Sequence, residues 1–322
     1  MSQKVVKLEP LSKEGQDVMV RIGRPEPHIK AGKHGYVLGA RMDLDYFKYR
    51  MPIYEDDIFI ITPPKCGTTW TQELVWLILN KLEKPTKNQF YRVPFVELGA
   101  ILPPVEEKLD MTKEQNEENL RHFQGNSVAF VEGMKRPRVI KSHLPLDLLP
   151  DNLLDRCKVI FVTRNIKDMA VSYFHHHQLI SKGYTFKEFA QWFRDSHIVQ
   201  TPMMPMVLEA WNRRDHPNMF FNSYEDMKSD FSGTMKRMLK FLNVEMSDDQ
   251  IQELQERTSI TSFRKDKFVN KANELEGSEG KFVRKGIVGD WKSNFDQEMN
   301  EDWDKWIAEE LKGTDFKMIS EI

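Results

Sequence analysis

The segment from Ile58 to Trp70 combines residue types that can together hold an anion. A short apolar run ends at Pro63-Pro64, and the chain continues as Lys65-Cys66-Gly67-Thr68-Thr69-Trp70. Gly67 permits a close backbone turn, and the N–H groups that follow it would open a helix, where negative charge is favoured. The threonine hydroxyls and the Lys65 ammonium add further donors. This pattern predicts that the segment holds a phosphate-bearing nucleotide.

Two further stretches place positive charge where a strand gives way to a loop or a helix. Arg164 follows the apolar run Lys158–Thr163, and Ser172 lies two helical turns further along. An arginine at a strand end suits two-pronged binding of a phosphate group. Arg284-Lys285-Gly286 offers two adjacent cations and a glycine, which can wrap a phosphate from another side. Taken alone, each stretch is most often a surface ion pair or a charged loop.

A lysine and a histidine leave another strand two residues apart. The segment reads Lys141-Ser142-His143-Leu144-Pro145. Because side chains alternate along an extended chain, Lys141 and His143 would point to the same side. Histidine is the side chain best suited to take a proton near neutral pH. His143 is therefore a candidate general base, although a lone histidine is more often structural.

The elements that must position these residues alternate between strands and helices. Helical spacing follows Thr68, Asn165 and Asp230, and strands are predicted at Ile58–Thr62, Arg138–Ser142, Lys158–Thr163 and Met219–Tyr224. Apolar strands separated by helices predict an α/β fold, a single domain over residues 1–322 with a central parallel sheet flanked by helices on both faces. Ligands in such folds bind beyond the carboxyl ends of the strands, where the candidate residues fall.

Two polar segments interrupt this pattern. Residues 102–133, rich in Glu, Asn and Lys, are predicted to form an exposed excursion or lid, and residues 271–280 a second mobile loop. Both separate motifs that the site needs together.

Composition argues against several classes of protein. The 322 residues are 40% hydrophobic and 30% charged with a net charge of −2, so bulk charge gives no reason to expect nucleic acid or an anionic membrane as partner. The amino terminus lacks the apolar core of a signal peptide, and no apolar stretch approaches a membrane span. Two cysteines cannot form a disulfide framework, so a cytoplasmic location is expected. No metal site is expected, since the consecutive histidines His175-His176-His177 would diverge around a helix.

These four motifs, in this order, resemble those of the cytosolic sulfotransferases. That family transfers a sulfuryl group from 3′-phosphoadenosine 5′-phosphosulfate (PAPS) to a hydroxyl or amine, with PAP as product. Its loop TYPKSGTTW corresponds to Thr62–Trp70, and its KTHLP segment to Lys141–Pro145. Its RNxKDxxVSYY segment corresponds to Arg164–Phe174, and its RKGxxGDWK segment to Arg284–Lys292. The resemblance covers most of the chain and includes an insect-type branch of the family related to retinol dehydratase.

The resemblance implies roles for individual residues. His143 would be the general base, and Lys65 and Lys141 would stabilise charge on the transferring group and the leaving nucleotide. The acceptor would contact His143, Phe95 and His176. PAPS would be bound, without a metal, by residues from all parts of the site: Lys65, Cys66, Gly67, Thr68, Thr69, Trp70, Arg164, Ser172, Tyr224, Thr261, Phe263, Arg284, Lys285 and Gly286.

The sequence departs from the family pattern at two places. In the loop, Cys66 replaces a serine, so one hydroxyl donor is lost while the backbone contact is retained, and Pro64 replaces an aromatic residue. The family's dimer motif KxxxTVxxxE falls on Lys292–Glu301, with Asp296-Gln297 in place of Thr-Val. The resemblance allows a homodimer, but the added charge counts against the usual interface.

The acceptor is predicted only by class. Apolar walls favour a small phenolic or hydrophobic alcohol, although the side chains that suggest them could equally belong to the core. Those side chains are Phe95, Met203, Met204 and Met206.

Three alternatives remain open from the sequence. An enzyme like retinol dehydratase would sulfate an alcohol and then eliminate the ester. A nucleotide kinase would use MgATP, but the loop does not match GxxxxGK[ST], and Cys66 stands where a Mg²⁺-binding hydroxyl would be needed. A non-catalytic nucleotide binder would have no need of Lys141 and His143.

Overall fold

Short strands form two separate sheets. The computed structural model describes residues 5–101, 127–179, 181–266, 268–269 and 285–319. Its strands are β1 (Leu8–Pro10), β2 (His28–Ala31), β3 (Tyr36–Gly39), β4 (Ile58–Ile61), β5 (Val139–Ser142), β6 (Lys158–Thr163) and β7 (Met219–Ser223). The last four form a parallel sheet in the order β5-β4-β6-β7, which confirms the predicted fold class. The first three form a small antiparallel sheet that the sequence pattern did not predict.

Helices connect the strands and cover both faces of the parallel sheet. In chain order they are α1 (Lys13–Arg21), α2 (Thr68–Leu79), α3 (Gln89–Arg92), α4 (Leu98–Ile101), α5 (Ser127–Glu132), α6 (Leu153–Arg156), α7 (Ile166–His177), α8 (Phe186–Arg194), α9 (Met203–Trp211), α10 (Tyr224–Ser229), α11 (Phe231–Leu242), α12 (Asp248–Arg257), α13 (Ile260–Lys265) and α14 (Gln297–Glu310). Short helical turns of other types are Tyr46–Arg50, Leu146–Leu148 and Asp290–Ser293. Among the described residues, no helix is long and apolar enough to cross a membrane.

The central strands are buried on both faces. Phe59 and Ile61 of β4 pack in one apolar cluster with β5, β6 and α9, whereas Ile58 and Ile60 pack in a second cluster with α2, α11 and α12. A strand covered on both sides needs a continuous apolar sequence, which is why β4 can be recognised without a structure. A third cluster joins α7, α8 and α14.

Strand register brings the predicted chemistry to one edge of the sheet. Ile61 at the end of β4 lies opposite Ser142 of β5 and Phe161 of β6. The loop after β4, the histidine after β5 and the arginine after β6 therefore leave the sheet side by side. This is the edge at which parallel sheets bind their ligands.

A buried ion pair closes the opposite edge of the same two strands. Asp57 precedes β4 and Arg138 precedes β5, and the guanidinium donates to both carboxylate oxygens at 2.8 and 2.5 Å. Arg138 also donates to the backbone carbonyls of Val131 and Pro52. Both charged side chains are at most 1% exposed, so the pair is sealed from water.

The two segments predicted to be mobile fall mainly outside the described residues. Residues 271–280 lie outside them entirely, and so do residues 102–126. The remainder of the predicted excursion includes α5, whose Ser127 and Val131 are buried. Ser127 donates its hydroxyl to the carbonyl of Val96, so this part of the segment packs on the protein instead of being exposed.

Candidate active site

The loop after β4 is shaped to hold an anion at the start of α2. Lys65 and Gly67 have φ values of 71° and 86°, which turn the chain sharply before the helix begins at Thr68. No described side chain caps this helix start, so the N–H groups of its first turn face the space that the loop encloses. A Cβ on Gly67 would lie 2.7 Å from the Tyr224 ring, so only glycine fits there. These features match the requirements of a phosphate site.

The side chain of Cys66 does not belong to the ligand-facing surface of the loop. It is fully buried, and its sulfur lies 3.0 Å from that of Met169 on α7. Burial raises the pKa of this thiol well above its ordinary value. The residue thus fastens the loop to the core, and only its backbone is available to a nucleotide. The second cysteine, Cys157, is buried as well.

Arg164 joins the loop to the last sequence motif. Its guanidinium donates to the carbonyls of Lys65 at 3.3 Å and Ile287 at 2.9 Å, and it lies 4.6 Å from the centre of the Tyr224 ring. The Nε atom is buried without a hydrogen-bond partner among the described residues. A buried guanidinium with a donor to spare suits an anionic ligand.

Asp168 ties the last motif to the start of α7. Its carboxylate accepts the N–H of Gly289 at 2.8 Å and that of Trp291 at 2.9 Å. It also lies 3.5 Å from the guanidinium of Arg164. One buried carboxylate therefore sets the position of both the arginine and the segment 285–292.

The predicted binding residues of the last motif are brought to this junction in part. Lys285 pairs with Asp290, with the charged atoms 2.7 Å apart. A Cβ on Gly286 would lie 3.6 Å from the Tyr224 hydroxyl, so this glycine borders the Tyr224 ring. Ser172 is half-buried two turns into α7. Arg284 lies outside the described residues.

The residues predicted to face the adenine are only partly in contact. Trp70 packs edge-on against Tyr224, with ring centres 5.6 Å apart, and stacks on Phe231 at 6.0 Å. Phe263 is buried on α13, whereas Thr261 on the same helix is exposed. Trp70 and Tyr224 therefore form an aromatic corner beside the loop, and α13 supplies the other two residues separately.

His143 is held in one tautomer by the end of the neighbouring strand. Its Nδ1 lies 2.7 Å from the backbone carbonyl of Thr62, which can only accept a hydrogen bond. The proton therefore sits on Nδ1, and the lone pair sits on Nε2. The Thr62 hydroxyl lies 2.6 Å from that of Thr68 at the start of α2, which links the histidine to the anion loop.

The main chain of His143 is held by two buried side chains that sequence reasoning missed. Glu97 accepts the His143 N–H at 2.5 Å and the Ser142 hydroxyl at 3.1 Å. The Tyr36 hydroxyl donates to the His143 carbonyl at 2.8 Å. Glu97 could have been suspected as the one charged residue ending the run Val93-Pro94-Phe95-Val96. Tyr36 gave no such signal, because its strand comes from the unpredicted small sheet.

Phe95 brings the two predicted catalytic residues of β5 together. The ammonium of Lys141 lies 4.0 Å from the centre of the Phe95 ring, and the ring of His143 lies 5.0 Å from it. Burial lowers the pKa of Lys141, and the charge of Glu97 opposes that change. Burial raises the pKa of Glu97, while its hydrogen bond from His143 lowers it. A readily removed proton on Lys141 and a carboxylate that is costly to ionise are typical of functional sites.

The other predicted acceptor residues divide between site and core. His176 is partly buried and stacks on Tyr173, with ring centres 6.2 Å apart. The three methionines Met203, Met204 and Met206 are only 2–3% exposed and belong to the apolar clusters. They are therefore core residues, the second of the two interpretations that their sequence allowed.

The run of three histidines on α7 has no metal-binding geometry. Among the described residues, no group of three or more potential ligands could hold a metal ion. His177 is buried against Tyr173 and Phe189, and neither ring nitrogen has a hydrogen-bond partner among the described residues. Burial lowers the pKa of His177 to about 3, so the residue is neutral in the folded protein.

Comparison with known proteins places these features in one family. The profile of the sulfotransferase domain matches residues 55–315. The chain is 31% identical to luciferin sulfotransferase of Photinus pyralis, over 82% of this chain and 74% of that protein. It is 30% identical to sulfotransferase 1E1 of Homo sapiens, over 89% of this chain and 96% of that protein. Among solved structures, retinol dehydratase in a complex with retinol and PAP superposes with a TM-score of 0.90 at 31% identity, covering 98% of this chain and 99% of that one.

Proposed function

The chain belongs to the sulfotransferase family, and we propose that His143 is the general base of its reaction. The enzyme transfers a sulfuryl group from PAPS to a hydroxyl group of an acceptor, with PAP as product. The observation that supports this role is the hydrogen bond from His143 Nδ1 to the carbonyl of Thr62 at 2.7 Å. It leaves the Nε2 lone pair to take the proton of the acceptor hydroxyl as the new bond to sulfur forms.

Cations and helix N–H groups around the loop suit the charged donor. When bound, PAPS supplies the activated sulfuryl group. Lys65 and the first turn of α2 would hold its 5′ end, while Arg164 and Lys285 would hold the 3′-phosphate. The unfilled Nε of Arg164 supports this assignment, because a buried donor without a partner is costly unless a ligand completes it. Lys65 and Lys141 would stabilise negative charge as it develops.

Phe95 and His176 support a small hydrophobic or phenolic acceptor. An aromatic ring in contact with both Lys141 and His143 gives the acceptor an apolar wall beside the base. The related proteins named above include a luciferin sulfotransferase and a structure that holds retinol. Small hydroxylated molecules are therefore the acceptors to test.

Dehydration through a transient sulfate ester is the second candidate. The observation that favours it is the TM-score of 0.90 to retinol dehydratase over almost the whole chain. Product analysis with an allylic alcohol separates the two reactions. A stable sulfate ester supports simple transfer, and an unsaturated hydrocarbon without a remaining ester supports elimination.

An acceptor screen with ³⁵S-labelled PAPS tests the proposal directly. Phenols, steroids, retinoids and amines are incubated with the protein, and labelled product is separated from PAPS. Labelled ester is expected from hydroxylated acceptors, and it should be lost with His143→Ala. Label transfer that is unchanged in His143→Ala would exclude the proposed base, and an absence of transfer to every acceptor would overturn the acceptor class.

We further propose that the chain is a single cytoplasmic domain. The parallel sheet, the amino-terminal sheet and α14 share the same apolar clusters, which supports one domain. Asp296, the unusual residue of the family's dimer motif, accepts the Met299 N–H as the N-cap of α14. Its carboxylate is therefore occupied in starting a helix, and we expect any homodimer to use a different central contact. Equilibrium sedimentation of the purified protein measures this.

A further inference from the structure

A carboxylate lies buried directly behind the base of the proposed reaction. Glu97 is 1% exposed, and one of its oxygens accepts both the backbone N–H of His143 at 2.5 Å and the hydroxyl of Ser142 at 3.1 Å. Hydrogen bonds to an ionised acceptor are about twice as strong as neutral ones. The base is therefore fixed through its own main chain, as well as through its ring.

The second oxygen of Glu97 shows that hydrogen bonding alone does not explain a charged residue here. Oε2 is buried and has no hydrogen-bond partner among the described residues. Burying half of a carboxylate without partners is costly, and a glutamine could accept the His143 N–H at lower cost. The negative charge itself must therefore be useful. The charge that acts on Glu97 is that of Lys141.

Backbone pairing sets Glu97 and the two catalytic candidates in one register. The N–H of Lys141 donates to the carbonyl of Pro94 at 2.8 Å, and the N–H of Val96 donates to the carbonyl of Lys141 at 3.0 Å. The segment 94–97 thus runs beside the end of β5, where Phe95 contacts both side chains and Glu97 contacts the backbone. A shift of this segment would move the base and the lysine together.

We propose that Glu97 is a positioning residue that uses its hydrogen bond to fix His143 and its negative charge to hold Lys141 as a cation. This inference rests on the proposed function of His143 and Lys141. Its two roles are separable, because a hydrogen bond depends on reach and a charge does not.

The charge role has a definite sign on the pH dependence. Burial lowers the pKa of Lys141, and Glu97 raises it again, so removing the charge lowers that pKa further. Turnover that needs cationic Lys141 is then lost at a lower pH on the alkaline side. The other titratable groups facing this corner are His143 itself and Tyr36, whose phenol responds to the charges of Glu97 and Asp147.

Two variants of Glu97 separate the roles. Glu97→Gln keeps an acceptor at the right distance but removes the charge, so the alkaline limb of kcat should move to lower pH by about 1 unit, with a loss at neutral pH within about 10-fold. Glu97→Asp keeps the charge but falls short of the His143 N–H, so kcat should drop about 10- to 100-fold with the limb unmoved. KM for PAPS should change little in both, since neither variant alters the donor loop.

Tyr36→Phe is the matched control. It removes the other hydrogen bond to the His143 main chain, at 2.8 Å, without removing a charge at neutral pH. A smaller loss of kcat is expected, with an unmoved alkaline limb. Circular dichroism and thermal unfolding establish that each variant is folded. If Glu97→Gln does not fold, folded Glu97→Asp decides alone: wild-type kcat overturns the proposal, and a loss of 10-fold or more supports it.

The remaining outcomes are distinct from failure of the proposed function. Wild-type kcat and pH profile in both folded Glu97 variants would overturn the positioning role. Equal losses with unmoved pH profiles would mean a structural role only, and would overturn it too. Unchanged turnover in His143→Ala would instead remove the premise, whatever the Glu97 variants do.

Discussion

The strands β4 and β5 carry buried polar groups at both ends, and the two ends differ in how completely these groups are paired. At the amino ends, Asp57 and Arg138 form a two-pronged ion pair, and Arg138 also donates to two carbonyls. At the carboxyl ends, Thr62 and His143 hold each other, and Glu97 has one oxygen with no partner in the described part of the chain.

The two ends share the same strands and similar burial, so the difference reflects what each end does. Completed pairs cannot receive a ligand, and the Asp57–Arg138 end therefore acts on stability alone. Unfilled groups such as Arg164 Nε and Glu97 Oε2 are costly to the fold and are kept where a ligand or a charge is handled. Incomplete pairing next to complete pairing is thus a guide to the active edge of this sheet.

The largest effect is expected at the carboxyl end. His143→Ala should lower kcat by about 10²- to 10⁴-fold, because the general base is lost. Affinity for PAP, measured by calorimetry, should stay within about threefold, since the histidine is not part of the donor loop. Turnover above a tenth of wild type would mean that this end of the strands does not supply the base.

The opposite result is expected at the amino end. Arg138→Met leaves the Asp57 carboxylate buried without its partner and should lower the free energy of unfolding by about 3–5 kcal/mol. The kcat of the folded variant should remain close to wild type. Urea unfolding and steady-state kinetics measure the two quantities.

The chain supplies a matched control two residues away. Arg136 pairs with Asp56 on the surface, where the side chains are 47% and 43% exposed. Arg136→Met should therefore lower the free energy of unfolding by no more than about 1 kcal/mol. Similar losses in the two variants would show that burial of the Asp57–Arg138 pair is not what makes it important.

The next strand tests whether an unfilled donor marks a ligand site. Arg164→Ala should weaken binding of PAP about 10- to 100-fold, because a charged hydrogen bond to the 3′-phosphate is lost. Binding of the same nucleotide without its 3′-phosphate should change much less. Arg156→Ala, on the exposed face of α6, serves as the control. Equal losses for both nucleotides would remove Arg164 from the 3′-phosphate site.

The smallest effect concerns His177, a buried group that is unpaired away from either strand end. Its pKa of about 3 means that the folded protein resists the proton that the unfolded chain binds near its ordinary value of 6.5. Stability is therefore lost as pH falls below about 6.5, and His177 alone should account for about 2 kcal/mol at pH 5.

Unfolding at pH 7.5 and pH 5 measures this loss. His177→Leu should make the free energy of unfolding less dependent on pH, whereas a substitution of the exposed His34, such as His34→Asn, should leave the dependence as it is. An unchanged pH dependence in His177→Leu would show that burial does not keep this histidine neutral.

The sequence predicted the sheet well because its strands are buried on both faces. The run Ile58–Ile61 is apolar throughout, and the strands at 139–142, 158–163 and 219–223 have comparable patterns. Their junctions with loops and helices carried the motifs, and family membership confirms the class of enzyme. The roles of individual residues at those junctions stay predictions.

The support behind the site could not be predicted from local patterns. Tyr36 and Glu97 reach His143 across 107 and 46 residues of chain, and no spacing rule connects positions that far apart. The strand of Tyr36 has only four residues and lies in a sheet with no apolar alternation strong enough to recognise. Cys66 was the least explained loop residue for the same reason: its partner, Met169, is 103 positions away.

Burial of both cysteines has a practical consequence. Because Cys66 and Cys157 are the two cysteines of the chain and both are buried, the folded enzyme offers no ready target to maleimide dyes. A single cysteine placed at an exposed position such as Ser293 could be labelled cleanly without removing the native ones. Alkylation of Cys66 itself would then time the opening of the core beneath the loop, residue by residue and without a substrate.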